Sequence, residues 1–187
     1  MLTVIIPTRD SERALVRTLA SLVSGAAAGL VSEVLIADDG SHDQTVAAAD
    51  HAGCVVLHET GPLGRRLKAA ANNARAPWLL FLRPGAVLDP TWIAEVRLFL
   101  EQPPGVASAA TFRRDSAEHG GLRQAIARAA SALNRTPQPQ QGLLIAKDLY
   151  RRSEGHSAAA ADPEAEYLRR LGRRQIRTLS TAVHYFE

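Results

Sequence analysis

Two carboxylates stand side by side at Asp38-Asp39, where the apolar run Val34-Leu35-Ile36 gives way to Gly40-Ser41. The run reads as a strand covered on both faces, and Gly40-Ser41 as the turn that ends it. In an open parallel sheet, ligands bind outside the carboxyl ends of the strands. Two aspartates there suit hydrogen-bond donors on a ligand, such as a ribose hydroxyl or a base N–H. The same pair also fits a helix cap followed by a solvated turn acid. The spacing leaves both readings open.

The elements that would position these carboxylates follow from the pattern of apolar residues and breakers. Leu2 to Ile6 is a β-branched run stopped by Pro7, and Asp10 can cap a helix from Ser11 to about Val23. Strand two is Glu33 to Ala37, and Asp43 can cap a second helix. Cys54 to His58 is a third strand, Leu63 to Arg75 an alanine-rich helix, and Pro77 to Leu82 a fourth strand. Asp89-Pro90 opens a helix to about Glu101. Beyond Pro103-Pro104-Gly105 the pattern gives a strand over Val106–Phe112, a polar loop to Gly120, a helix over Gly121–Asn134 and a proline-bearing connection to Gln140. A short strand over Gly142–Ala146, a helix from Asp162-Pro163 to Leu171, and terminal strands over Gln175–Leu179 and Ala182–Phe186 complete it.

Strands alternating with helices imply an α/β fold with a mainly parallel sheet flanked by helices. The turns at Pro7-Thr8-Arg9-Asp10, Asp38-Asp39-Gly40-Ser41 and Arg83-Pro84-Gly85-Ala86 would then gather at one sheet edge. That edge offers carboxylates for a nucleoside and arginines for phosphates. The length of 187 residues fits one domain, with residues 1–102 as a nucleotide-binding half and 103–187 as an acceptor-side half.

Composition narrows the classes. The single cysteine, Cys54, excludes an intrachain disulfide framework and points to a reducing cytoplasm. It opens an apolar strand and reads as core. The six histidines show no metal-ligand spacing. No apolar run reaches the ~18 residues of a transmembrane helix, and Met1 to Pro7 reads as a strand, not a signal peptide. The net charge is +3, and every cationic residue except Lys68 and Lys147 is arginine. The cluster Arg169, Arg170, Arg173, Arg174, Arg177 is basic enough to touch nucleic acid or a membrane surface, such as the inner face of the membrane, but a solvated helix face is the simpler reading. Nucleic acid is not an expected partner.

These residues carry a resemblance. Val4-Ile5-Ile6-Pro7-Thr8, followed by Ala37-Asp38-Asp39-Gly40-Ser41-His42-Asp43-Gln44-Thr45, resembles the start of a family 2 glycosyltransferase of the GT-A fold. Gly64-Arg65 through Ala76-Pro77-Trp78-Leu79-Leu80-Phe81-Leu82 is similar to the helix and strand that precede the family's metal motif. Gln141 to Ile145 with Gly155-His156, and Pro163-Glu164-Ala165-Glu166, resemble its later strand, acceptor-side loop and catalytic-acid helix. The likeness is to short bacterial members without membrane helices.

The resemblance implies a nucleoside-diphosphate-sugar donor held by Pro7, Thr8, Asp38 and Asp39, with an acceptor it does not identify. Asp162 or Glu164 falls where such enzymes place the general base of an inverting transfer. After Leu82 the family carries an Asp-x-Asp motif for a divalent cation. Here Arg83-Pro84-Gly85 stands instead, and none of these side chains offers the oxygen ligands a hard cation takes. The expectation is therefore a metal-independent transferase, with no cofactor, in which Arg83 and Arg65 or Arg66 neutralise the diphosphate. The alternative is an inactive relative that binds a nucleotide or a protein partner. A nucleotidyltransferase would need a glycine-rich first loop, and a phospho-receiver domain an acid pair after strand one; this chain has Pro7-Thr8 there.

Overall fold

The computed structural model describes residues 1–102, 108–114 and 137–185. The strands are β1 (Leu2–Thr8), β2 (Val31–Asp38), β3 (Val55–His58), β4 (Trp78–Phe81), β5 (Ala86–Leu88), β6 (Ala109–Arg114), β7 (Leu143–Ala146) and β8 (Ile176–Tyr185). The helices are α1 (Glu12–Ala27), α2 (Thr45–His51), α3 (Leu63–Asn73), α4 (Trp92–Leu100), α5 (Lys147–Arg152) and α6 (Pro163–Leu171), with a 3-10 turn over Pro139–Gln141.

All eight strands form one sheet in the order β3-β2-β1-β4-β7-β6-β8-β5. The β3-β2-β1-β4 block and the β6-β8 pair are parallel, whereas β4-β7, β7-β6 and β8-β5 are antiparallel. The sheet is thus mixed with a parallel majority. β1 lies inside the parallel block and is buried along its whole length, which is why its centre reads as the apolar run Val4-Ile5-Ile6, and it continues through Pro7, where a stop is expected, to Thr8.

Side chains alternate across the sheet and divide the core in two. Val4, Ile6, Ile36, Leu80 and Leu82 meet Leu15, Leu22, Trp92, Val96 and Phe99 of α1 and α4 on one face. Ile5, Leu35, Leu79 and Phe81 meet Leu67, Ala70 and Ala71 of α3, Tyr150 of α5 and Tyr167, Leu168 and Leu171 of α6 on the other. Strands from both halves of the chain interleave: β4 pairs with β7, and β5 with β8.

The β/α order of the first hundred residues is as the apolar pattern implies, and several local expectations are corrected. β5 sits where a turn is expected, because Ala86–Leu88 finds a partner only in the distant Val183–Tyr185 segment. The two expected terminal strands are one, because β8 pairs β6 along its first part and β5 at its end, and these ladders carry the chain straight through Ser180-Thr181. α5 forms across Lys147–Arg152, where no helix is expected. Asp10 does not cap α1: its backbone turns left-handed, φ 45°, and its carboxylate accepts from His42 N at 2.6 Å. One carboxylate, Asp43, instead serves the first N–H of two helices, accepting from Glu12 N of α1 at 3.1 Å and Thr45 N of α2 at 2.9 Å. The expected strand over Val106–Phe112 is realised as β6; its first two residues, the loop after Arg114 and the helix over Gly121–Asn134 lie outside the described residues.

Candidate functional site

The carboxyl ends of β1, β2 and β4 do come together. Asp39 N donates to Thr8 O at 2.9 Å, and Leu82 N to Ile5 O at 3.0 Å, extending both ladders past the strands. A cleft of about 400 Å³ opens beyond these ends, lined by Pro7, Thr8, Arg9, Arg66, Arg83 and Glu164 among others. That volume is within the usual range for a small-molecule site.

The two adjacent aspartates have separate tasks. Asp38 is 1% exposed and accepts from Thr8 Oγ1 at 2.7 Å, Ser41 Oγ at 2.5 Å and Ser41 N at 2.8 Å. Burial alone would raise its pKa, but bonds from Ser41, Thr8 and Gly40 hold it below the ordinary carboxylate range. Both of its oxygens are engaged inside the protein, so Asp38 positions Thr8 and the turn. Asp39 accepts from Gly61 N at 3.0 Å and lies 3.4 Å from Arg9 Nη1 and 3.7 Å from Arg66 Nη2. It stands behind the cleft, between two guanidiniums that line it.

The three arginines expected at the phosphates are not equivalent. Arg66 is 7% exposed and has every side-chain nitrogen engaged: Nε to Gly61 O, Nη1 to Ala37 O and Thr8 O, and Nη2 beside Asp39. Arg65, the next residue on α3, points about 100° away, binds Thr60 O and lines a different cleft. Arg83 is in the first cleft and pairs with Glu164, Nε to Oε2 at 2.7 Å and Nη2 to Oε2 at 2.6 Å. Arg9, to which the sequence reading gives no separate role, lines the same cleft and is largely exposed; its place in the Pro7–Asp10 turn is the signal for it.

The two candidate bases also separate. Asp162 caps α6, accepting from Ala165 N at 3.0 Å, with Pro163 at the first helical position. It lies 3.9 Å from Arg83 and does not line the cleft. Glu164, two residues on, is 7% exposed and does. Burial pushes its carboxyl above the ordinary range against the pull of Arg83. Burial also works against the charge of Arg83, but Glu164 outweighs it, so the arginine's pKa is raised and it stays charged.

The end of β4, where the family resemblance implies a divalent cation, holds Arg83-Pro84-Gly85 and offers no carboxylate. Among the described residues no three His, Cys, Asp or Glu side chains converge on a possible metal position. The donor set at this turn does not fit a hard cation.

Comparison with known proteins agrees with this fold. A family model described as glycosyl transferase family 2 matches residues 3–161. No curated protein matches the chain in sequence. Glucosyl-3-phosphoglycerate synthase from Mycobacterium tuberculosis, solved with Mn2+, UDP and glucosyl-3-phosphoglycerate, superposes with a TM-score of 0.72 at 19% identity, covering 100% of this chain and 72% of that one. A mannosyltransferase from Pyrobaculum calidifontis, solved with GDP-Man and Mn2+, gives 0.75 at 14% identity, covering 97% and 56%. TarS from S. aureus gives 0.73 at 17%, covering 97% and 59%. At these identities the likeness carries the fold.

Proposed function

Because this chain belongs to glycosyl transferase family 2, we propose that it moves a sugar from a nucleoside-diphosphate donor to an acceptor hydroxyl, with Arg83 and Glu164 at the reacting end of the 400 Å³ cleft. The observation that carries this reading is the meeting of a fixed cation and a buried carboxylate at the end of β4, beside Thr8 and Arg9.

In this reading Pro7 and Thr8 form the floor under the nucleotide, and Asp39 acts on it from behind, by holding the Arg9 and Arg66 guanidiniums that line the cleft. Arg9 and Arg83 neutralise the diphosphate, with the fixed charge of Arg66 behind them. A guanidinium has five N–H donors, and Glu164 engages only Nε and Nη2 of Arg83. The rest remain for phosphate oxygens, as a bidentate contact would need. Glu164 takes the proton from the acceptor hydroxyl as that oxygen attacks the anomeric carbon. The bond from that carbon to the diphosphate oxygen breaks, and the nucleoside diphosphate leaves with the electron pair. Attack opposite the leaving group inverts the anomeric centre. A carboxyl whose proton affinity is raised by burial is the better base near neutral pH. Stabilising the leaving diphosphate is the main electrostatic task, and here arginines carry it without a divalent ion.

One observation favours a second reading. The Glu164 carboxylate is already held by Arg83, so the same pair could lock the cleft in a relative that binds nucleotide without turning it over. Calorimetry with UDP- and GDP-sugars, in EDTA and in manganese, followed by a transfer assay with any donor that binds, tests both. Binding that persists in EDTA with turnover supports the transferase. Binding without donor consumption under any acceptor mixture supports the inactive relative.

A further inference from the structure

The cleft that Arg65 faces is the larger of the two, about 520 Å³, and lies on the other side of α3 from the candidate donor site. Its walls are the outward face of α3 and the loop through residues 154–158, which sits tight on the helix: a Cβ on Gly64 would fall 2.0 Å from Ser157 O. Arg65 and Lys68 come from α3, and Arg170 from the last turn of α6. Arg170 is held in place by Gly155 O, by Glu166 at 3.4 Å and by the Tyr167 ring 5.1 Å below its guanidinium. Arg65 is likewise tied to Thr60 O. Two of the three cations are therefore preorganised.

A second and independent feature is His156, which lines this cleft yet is only 2% exposed. Its Nδ1 lies 2.8 Å from Tyr150 Oη, and that hydroxyl already accepts from His156 N at 3.1 Å. With Tyr150 Oη donating to Nδ1, the ring N–H is carried by Nε2. Burial, helped by the Arg170 charge, holds the ring neutral, its pKa pushed down to about 3. The side chain is thus a fixed neutral donor beside three cations. Glu59 and Glu154 lie on the same walls and are acceptors.

The geometry points to a second ligand site in this cleft, for a phosphate monoester carrying hydroxyl groups. Arg65, Lys68, Arg170 and His156 Nε2 would take the phosphate, and Glu59 and Glu154 the hydroxyls. Arginine binds such a dianion bidentately, and lysine serves as a point charge. The site does not depend on the donor cleft being active.

Glycerol 3-phosphate is the probe for a soluble ester. Vesicles of phosphatidylcholine doped with phosphatidic acid present the same phosphate monoester as a lipid headgroup, with its glycerol hydroxyls acylated. Calorimetry on the whole chain is expected to show saturable glycerol phosphate binding, weakened about tenfold or more by Lys68→Glu, while nucleoside diphosphate binding is unchanged. Lys68 is exposed, so the variant is expected to fold, which its melting temperature checks. Added binding to the doped vesicles, lost in Lys68→Glu, would identify the headgroup as the source; ester binding without vesicle binding would identify a soluble metabolite. No glycerol phosphate binding at millimolar concentration, or binding that Lys68→Glu leaves intact, overturns the site.

Discussion

Arg83 and Glu164, 81 residues apart in the chain, meet through two contacts of 2.7 and 2.6 Å that join the end of β4 to the first turn of α6. Removing one partner strands the other. Breaking a buried pair costs about 3–5 kcal/mol, and the partial exposure of Arg83 places this one toward or below the lower end. Arg83→Ala is expected to lower unfolding free energy by about 2–3 kcal/mol, and Glu164→Gln, which keeps an acceptor oxygen for the guanidinium, by clearly less. Urea denaturation of the two variants measures the difference; a loss under about 0.5 kcal/mol for Arg83→Ala would mean that the contact contributes little.

The same arginine governs donor affinity in the proposed reaction. Arg83→Ala should weaken nucleoside diphosphate binding by roughly 1.5–3 kcal/mol, the range for a hydrogen bond to a charged group, and EDTA should leave wild-type affinity unchanged. If manganese strengthens wild-type binding and EDTA abolishes it, a metal is held outside the residues described.

Asp38 and Asp39 should respond oppositely to alanine. Asp38→Ala unties Thr8 and Ser41 inside the protein and is expected to cost stability, about 2–4 kcal/mol as a buried network lost. Asp39→Ala is expected to show chiefly as weaker nucleotide binding, by about 1.5–3 kcal/mol. Thermal melts and calorimetry on both variants separate the roles, and a pair that behaves alike would return Asp39 to a structural one.

His156 makes stability depend on pH in a definite window. Its pKa falls from an ordinary 6.5 to about 3 on folding, so below 6.5 the unfolded chain binds the extra proton. The stabilisation is fully present above pH 6.5 and is lost as pH falls toward 3, with a slope approaching about 1.4 kcal/mol per pH unit. Urea midpoints between pH 7.5 and 4.5 should follow that slope, and His156→Gln should flatten it. A wild-type profile that is level across this range would show that the ring is not buried neutral.

Gly64 is required by space and not by backbone conformation. An alanine methyl would collide with Ser157 O, and overpacking of this kind costs about 1–3 kcal/mol. Gly64→Ala should therefore destabilise the fold although alanine is the better helix former; a neutral or stabilising result in thermal melts would show that the 154–158 loop yields.

Sequence reasoning succeeds where chemistry and position coincide, and fails where a partner lies far away. The β1 run and the Asp38-Asp39 turn announce themselves through local pattern, and the Asp162-Pro163 start of α6 is the helix cap that its dipeptide suggests. Nothing near Arg83 in sequence shows that Glu164 will be its counterion. Arg65 and Arg66 are indistinguishable as neighbours in a string, yet one turn geometry sends them to different clefts. β5 is invisible because three residues after Pro84-Gly85 become a strand only against β8. His156 reads as a loop residue, and its burial depends on Phe81, Tyr150 and Tyr167 arriving from three elements.

The placement of β5 has a kinetic meaning. β4 and β5 are joined by residues 82–85 alone, yet β7, β6 and β8 stand between them in the sheet. Gly85, at φ 88°, donates its N–H to Ala14 O and Thr18 Oγ1 of α1, so this short connection is moored to the first helix while its strand waits for the last. Ala86 cannot acquire its ladder partner, Tyr185, until β8 is available. Such non-local closure is slow, and until it happens β5 presents an unpaired edge open to other chains. β5 is therefore among the last parts of the molecule to be fastened, and substitutions in β8, remote from any ligand, should register as a loosened β5 beside the Arg83 turn before they register as a lost fold.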